Sequence, residues 1–478
     1  METRAESDTE LRLLARGYSL TADAAGPWLR VRWDGGEVTL GGGAGEGGGR
    51  WAVDCAGGET ARVTLSAEDG RRLHLECHEG WLYARAELPD PGLAPALLAG
   101  PGPPTFGGLF SPEPTALRRH LFAPDERAVA AIGSDASFHG GHWFFSPPPF
   151  CFALAGGARP GEPLPPAGKV PAHPGASGFA RAAGGGEGGG ALVVGVACPP
   201  EEMDFSAFEY DGAFRLRYDR PPRAPYLSPR LVLLPARGGP YRAVESYCRH
   251  LRTAGLAPLG AGRDAADWWS SPIFCGWGEQ SYRGCASGGF APGRIPEGAA
   301  ERCSQGLYEE ALRRLEAEGI DPGVVTVDDK WQRAYGLARP HEGRWPDLAG
   351  FIAAQHARGR RVLLWWKLWD GEGLPPEDLL EGGPWPVVDP TSPAYRARLA
   401  REVRHALLEL GADGFKVDFL HRGPTPEHGP SRGGLAGVRL VRAMLEALRQ
   451  PALEARTDCL LVSHCANPYR ADLVDMVR

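Results

Sequence analysis

What the chain lacks narrows its chemistry. No run approaches the roughly 20 apolar residues needed to cross a bilayer. The amino-terminal METRAESDTELRLLARG carries charges where a secretory signal needs an unbroken apolar stretch. The expectation is a cytoplasmic protein with no membrane partner. The ten cysteines (Cys55, Cys77, Cys151, Cys198, Cys248, Cys275, Cys285, Cys303, Cys459, Cys465) include no CxxC pair, and the chain is too long to need stapling. They are expected to be reduced, buried and apolar in behaviour. Lys and Arg number 52 against 59 Asp and Glu, a net charge of −7. They are scattered, so no basic stripe exists to neutralise phosphates and no nucleic-acid partner is expected. Neither a GxSxG elbow nor an HExxH zinc motif is present. The glycine runs GGGAGEGGG (41–49) and GGGEGGG (184–190) lack the Lys-Ser/Thr and the helical opening of a phosphate loop. They read as loops.

What is present is an ordinary soluble composition in 478 residues, 43% hydrophobic and 23% charged, enough for two or three domains. The 67 Gly and 45 Pro crowd the first half, which predicts many turns and few helices there. From Leu11 to about Leu234, short alternating segments such as LRVRWDGGEVTL, WAVDC, RVTLSAE, LHLECHEGWLYARAEL, HWFFS, ALVVGVA, FRLRYD and RLVLL predict strands with one buried face. Many short strands cut by Gly and Pro predict a β-sandwich. An amphipathic stretch, YRAVESYCRHLRTAG, closes this domain as a linking helix, so the domain is drawn as 1–262.

The grammar changes over 263–478. SPIFCGW, GVVTVDD, RVLLWWKLW, GFKVDF and CLLVSHC are apolar runs separated by helical segments, LYEEALRRLEAEG, DLAGFIAAQHARG, SPAYRARLAREVRHALLELG and LAGVRLVRAMLEALRQ. Strands buried on both faces lose their alternation, and helix-sized spacers are the crossovers that parallel neighbours require. Asp328, Asp329, Lys367, Lys416, Asp418, His464 and Cys465 fall at the ends of successive strands. That distribution predicts a TIM barrel, (β/α)8, with its active site at the carboxyl ends, rather than an open sheet with one switch point. About 205 residues follow Ser271 and hold five strands plus a start at DMVR, where a barrel takes roughly 250 residues and eight strands. The barrel is therefore expected to be incomplete, with five to six strands, as a truncated product rather than one completed by another chain.

In GADGFKVDF the strand period of two sets Lys416 and Asp418 on one face and Phe415, Val417 and Phe419 on the other. An acid in the barrel mouth beside a cation that keeps it ionised suits a nucleophile or a metal ligand. A structural ion pair closing the strand is the plain alternative. The adjacent acids of VVTVDDKWQ suit the gripping of vicinal hydroxyls. A metal would need an HxH or ExxH companion, and none is present; solvated loop acids are the plain alternative. Trp365, Trp366 and Trp369, with Trp331 and Trp277 at other strand ends, favour a carbohydrate pocket over core packing alone. His464 reads as an ordinary hydrogen-bonded histidine.

Taken in order, GWGEQ, VDDKWQ, LLWW, DGFKVDF and VSHC resemble the α-galactosidase clan of glycoside hydrolases, closest to its melibiase and raffinose-synthase branch. The resemblance implies a β-supersandwich before a (β/α)8 barrel and a retaining glycosidase acting on α-linked glycosides, α-galactosides first. By position it implies Asp418 as nucleophile and Lys416 holding ring hydroxyls. It implies Asp328 and Asp329 at the sugar's far hydroxyls, Trp365 as a pocket wall, and Cys465 with Arg470 on the 2-OH side. An oligosaccharide or glycoside is the implied partner. No cofactor or metal is implied, and a homo-oligomer is left open. The acid/base is expected at the end of the sixth strand; Asp472 and Asp475 precede that strand and are not candidates. Lys367 stands where the melibiase pattern has Glu-Pro, and SHCANP replaces its glycine-rich ESC segment, so other α-linked sugars stay open. The alternatives are a raffinose-synthase-like transferase and an inert carbohydrate-binding protein lacking its proton donor.

Overall fold

The computed structural model describes residues 2–5, 10–23, 28–33, 36–41, 52–56, 60–99, 108–111, 118–120, 130–133, 149–155, 190–210, 213–284, 298–383, 385–420, 423, 428, 430–464 and 467–477. HWFFS (142–146) and Cys465 lie outside the described residues, as do the two glycine runs apart from Gly41 and Gly190. The chain divides into two compact units, Met1–Pro258 with Asn467–Tyr469, and Leu259–Ala466 with Arg470–Arg478.

The first unit holds a nine-stranded and a ten-stranded sheet, with antiparallel neighbours such as Ala61–Ser66 against Arg72–His78 and Arg72–His78 against Trp81–Leu88. Ala61–Ser66 and Arg72–His78 bury every second residue, as one-faced burial demands of a period-two strand. Gly190–Val196 is buried from Ala191 onward, because the helix Gly239–Thr253 covers its other face. Gly195 makes that approach possible: a Cβ there would stand 2.5 Å from the Tyr247 ring. Tyr247 Oη donates to the Val196 carbonyl at 2.6 Å, so the helix is tied to the strand that it covers.

The second unit is built on a six-stranded parallel sheet whose spatial order follows the chain. Its strands are Ile273–Cys275, Val324–Val327, Arg361–Trp366, Gly414–Val417, Leu460–Ser463 and Met476–Val477, paired in parallel register throughout. They fall within the segments that the apolar runs mark, and antiparallel sheets precede a parallel one as expected. The helices Gln305–Ala317, Leu348–His356, Pro393–Arg404 and Val438–Ala455 are the crossovers. Asp347 accepts from the Gly350 N–H at 2.8 Å and Ser392 from the Tyr395 N–H at 3.3 Å, so side-chain oxygens satisfy donors left open at two helix starts. The helix Trp277–Gly284 was not foreseen: with two glycines in eight residues, WGEQSYRG has too little apolar period to announce it.

The pleat sorts the parallel strands into two faces. Val325, Val327, Val362, Leu364, Trp366, Phe415, Val417 and Leu461 join the large core cluster with the Val438–Ala455 helix residues Val441, Met444, Leu445 and Leu448. Each such side chain contributes about 1.5–3 kcal/mol by leaving water. On the opposite face Val324, Leu363, Leu460 and Val462 pack with Trp269 in a smaller cluster, and further along the same rows come Lys416, Asp328 and Asp418. That face runs from apolar to charged along the strand direction.

The starting ends of the strands carry their own acids. Asp413, fully buried, accepts from the Val362 N–H (2.7 Å) and faces His356 (2.7 Å), Arg361 (3.1 Å) and Arg456 (2.8 Å). Asp475 is held likewise by Arg263, by Arg449 at 3.1 Å and by the Leu461 N–H at 2.9 Å, and Asp472 pairs with Arg442 at 2.6 Å. Asp413 and Asp475, with buried side chains and this many donors, are clasps between neighbouring elements. Among the described residues no helix is long and apolar enough to cross a membrane.

Candidate active site

The charged end of the sheet is assembled from the first strand onward. Asp328, immediately after the second strand, is 2% exposed. Its Oδ2 accepts from Lys416 Nζ at 2.6 Å and from the Cys275 thiol at 3.0 Å, while Lys416 Nζ lies 3.6 Å from the same sulfur. Its backbone N–H donates to Tyr308 Oη at 2.7 Å, and Tyr308 Oη donates to Gln280 Oε1 at 3.0 Å. GWGEQ supplies the room for this chain of bonds: a Cβ on Gly276 would meet Tyr308 Oη at 1.9 Å. Burial and the Asp328 charge push the Cys275 thiol up to about 11, so it serves as a neutral donor and not as a thiolate.

Asp418 follows the fourth strand and is 5% exposed. Its Oδ1 accepts from the Phe419 N–H at 2.8 Å and lies 2.9 Å from His464 Nε2. Its Oδ2 accepts from Trp365 Nε1 at 3.0 Å and lies 3.8 Å from Lys416 Nζ. Donors from the third, fourth and fifth strands therefore converge on one carboxylate. Phe419 has φ 54° and Lys330, directly after Asp329, has φ 72°. A non-glycine residue in the left-handed region costs about 1 kcal/mol or more. Both strained positions directly follow site acids, and at Phe419 the turn aims the N–H back at Asp418.

Asp329 is less enclosed. Its Oδ1 accepts from Tyr335 Oη at 2.8 Å. Burial raises its carboxyl to about 6, with Lys367 and Tyr335 opposing and the Asp328 and Asp418 charges adding to the rise. Tyr335 is gripped by its neighbours: Lys367 Nζ stands 3.6 Å and Lys330 Nζ 4.0 Å from its ring centroid. Its N–H donates to Glu372 at 3.0 Å and its carbonyl accepts from Trp366 Nε1 at 2.7 Å. Burial pushes the Tyr335 phenol up as well, so it donates to Asp329 as a neutral hydroxyl.

Of the residues singled out from the sequence, Asp328, Lys416, Asp418 and Trp365 form one bonded cluster, with Asp329 joined to Asp328 through its N–H at 2.9 Å. Trp365 is 1% exposed and meets Asp418 through its indole N–H. Trp331, Trp366 and Trp369 are likewise buried in the core cluster; Trp366 is there because the strand carrying WW is covered on both faces. Arg470 is buried and directed at the Val438 carbonyl, 3.4 Å away. Cys465 is outside the described residues. Cys275, Tyr335 and the His464–Asp418 contact were missed. Cys275 and His464 carried a signal, since both sit at strand ends; Tyr335 lies in a loop that no periodicity marks. Cys77, Cys151, Cys198, Cys303 and Cys459 are buried, Cys248 and Cys275 are half-buried, and all seven are free. Among the described residues no group of three or more His, Cys, Asp or Glu side chains is placed to hold a metal ion.

No protein-family model and no curated protein sequence matches the chain. Among solved structures, the GH36 α-galactosidase AgaA of Geobacillus stearothermophilus, in a doubly substituted form in complex with stachyose, is similar over 97% of this chain and 74% of its own, at 12% identity and a TM-score of 0.50. A second form of the same enzyme, in complex with 1-deoxygalactonojirimycin, gives the same coverage, identity and score. A GH31 sulfoquinovosidase from E. rectale is similar over 100% of this chain and 68% of its own, at 10% identity and a TM-score of 0.51. The likeness is one of fold: this chain has the fold of these glycoside hydrolases.

Proposed function

We propose that the chain is a retaining glycoside hydrolase of α-linked glycosides, with α-galactosides as its first substrates, built as a β-sandwich followed by five to six strands of a (β/α)8 barrel. The observation that carries this reading is the setting of Asp418: a carboxylate at a strand end, held by Trp365 Nε1, the Phe419 N–H and His464, with an ammonium 3.8 Å away. Fixed donors orient the carboxylate for attack without transferring a proton to it. An oxygen lone pair of Asp418 forms the bond to the anomeric carbon. The bond to the glycosidic oxygen breaks with its electron pair, and that oxygen takes a proton from a second carboxyl, which later activates water to cleave the ester.

Asp328 spends Oδ2 on Lys416 and Cys275 and so fixes the ammonium. Asp329, half-buried and tied to Tyr335, is the acid that receives sugar hydroxyls in this reading. The fold shared with a GH36 α-galactosidase crystallised with stachyose supports the choice of substrate class.

The test is to incubate the full chain with an activated aryl α-galactoside and with a fluorinated α-galactosyl fluoride that forms a slowly hydrolysed ester. Retained anomeric configuration in the product and a mass increment on the peptide bearing Asp418 are expected. Inverted product, or a label on another residue, overturns the retaining assignment to Asp418. Sugar binding with neither turnover nor label identifies a binding protein instead.

A further inference from the structure

We propose that His464 is a positioning residue for Asp418, holding the nucleophile's Oδ1 by an N–H bond through the formation of the glycosyl ester; the proposal rests on the nucleophile assignment above. Three observations carry it. His464 Nε2 lies 2.9 Å from Asp418 Oδ1, and both side chains are nearly buried. The parallel register pairs Val417 with Ser463, so the next residues, Asp418 and His464, stand side by side on adjacent strands and face the same way. The Trp365 indole approaches Oδ2 from the strand on the other side at 3.0 Å, so the carboxylate is braced laterally from both neighbours.

An ionised carboxylate only accepts, so Nε2 carries the hydrogen. Lys416 has its shorter bond with Asp328, 2.6 Å against 3.8 Å to Asp418, and among the described residues the indole, the backbone amide and the imidazole are closer to Asp418 as N–H donors. A donor that stays on Oδ1 while the carboxylate becomes an ester keeps the acyl group from rotating and stabilises the carboxylate that leaves when water attacks the anomeric carbon.

The experiment follows the rate at which a fluorinated α-galactosyl fluoride labels Asp418 in the full chain, together with the equilibrium binding of galactose. His464→Leu is expected to slow labelling about 10- to 100-fold, the loss of one hydrogen bond to a charged group, with galactose affinity changed less than about threefold. His464→Gln, whose amide nitrogen takes the place of Nε2, is expected to recover most of the rate. If His464→Leu fails to fold, as judged by its thermal melt, His464→Asn, too short to reach Oδ1, takes its place. In nitrogen-15 spectra of wild type, the His464 Nε2–H signal is expected to move when Asp418 is esterified. Absence of label in wild type rejects the nucleophile assignment itself. Label in wild type with an unchanged rate in the variants, or equal losses in the Leu and Gln variants, overturns the positioning role alone.

Discussion

Lys416 Nζ lies 2.6 Å from Asp328 Oδ2 and 3.8 Å from Asp418 Oδ2. The ammonium on the fourth strand is therefore fixed by the acid of the second, although Asp418, two residues along its own strand, is the partner that spacing suggests. Both members of the shorter pair are nearly buried. Lys416→Met should leave Asp328 without its counter-charge and cost about 3–5 kcal/mol in stability. Combining it with Asp328→Asn should recover a good part of that loss. Urea titrations of the three variants measure both terms, and additive losses would show that the two groups are not coupled.

Asp418→Asn keeps the shape of the side chain and removes the proposed nucleophile. Turnover of an activated aryl glycoside should fall by about 10⁴-fold or more, the covalent label should vanish, and the melting temperature should move little. Unchanged labelling would remove Asp418 from the chemistry.

Asp329 supplies a pH dependence with a defined sign. Burial raises its folded carboxyl to about 6 against about 3.9 in an unfolded chain. Below pH 4 both states hold the proton and there is no contribution. As pH rises from 4 to 6 the unfolded chain ionises first, so stability falls, by at most about 3 kcal/mol, and then levels off above pH 6. Asp329→Asn should remove this slope: the gain over wild type is absent at pH 4 and complete by pH 7. Sugar affinity should behave in the opposite way, rising in wild type as Asp329 ionises through pH 6 and staying low in the variant. Denaturation and calorimetry across that range check both signs.

Tyr335→Phe removes the hydroxyl that donates to Asp329 at 2.8 Å, a bond that favours the ionised acid. The midpoint of the pH-dependent sugar affinity should move upward relative to wild type. A midpoint that stays in place would mean that the phenol does not sense the Asp329 charge.

Gly276→Ala places a methyl group 1.9 Å from Tyr308 Oη. Tyr308 is fully buried, so the ring must shift and its bond to the Asp328 N–H must lengthen. Overpacking of this kind costs about 1–3 kcal/mol. Tyr308→Phe loses the same bond without the added methyl group, so melting curves of the Gly276→Ala and Tyr308→Phe variants separate the overpacking, which the ring carbon Cζ at 2.0 Å shares, from the lost bond.

The parallel strands were legible because burial on both faces erases alternation, leaving runs such as GVVTVDD and RVLLWWKLW that helices must separate. The acids at their ends were legible for the same reason: a charge that closes an apolar run has few places to go except the mouth of the sheet. Tyr335 was not legible, since its position depends on Trp366 at the end of the third strand and on Lys367 and Glu372 beyond it, and no local pattern encodes that. The tryptophans misled in a different way. Aromatic density near carboxylates suggests a sugar platform, yet Trp331, Trp366 and Trp369 are held in the core. His464 was read as merely hydrogen-bonded; its partner, Asp418, comes from register between strands some 46 residues apart in sequence.

Asp413 and Asp418 bracket the same short strand, and their separation divides labour. The first clasps Arg361, Arg456 and His356 at the strand's start, and the second sits among Trp365, Lys416 and His464 at its finish. Under the proposed function, a combinatorial library that randomises the finishing end can therefore explore new glycones while the anchorage of the scaffold is left untouched. Changes at the starting end should be purged as insoluble protein before their catalysis is ever assayed.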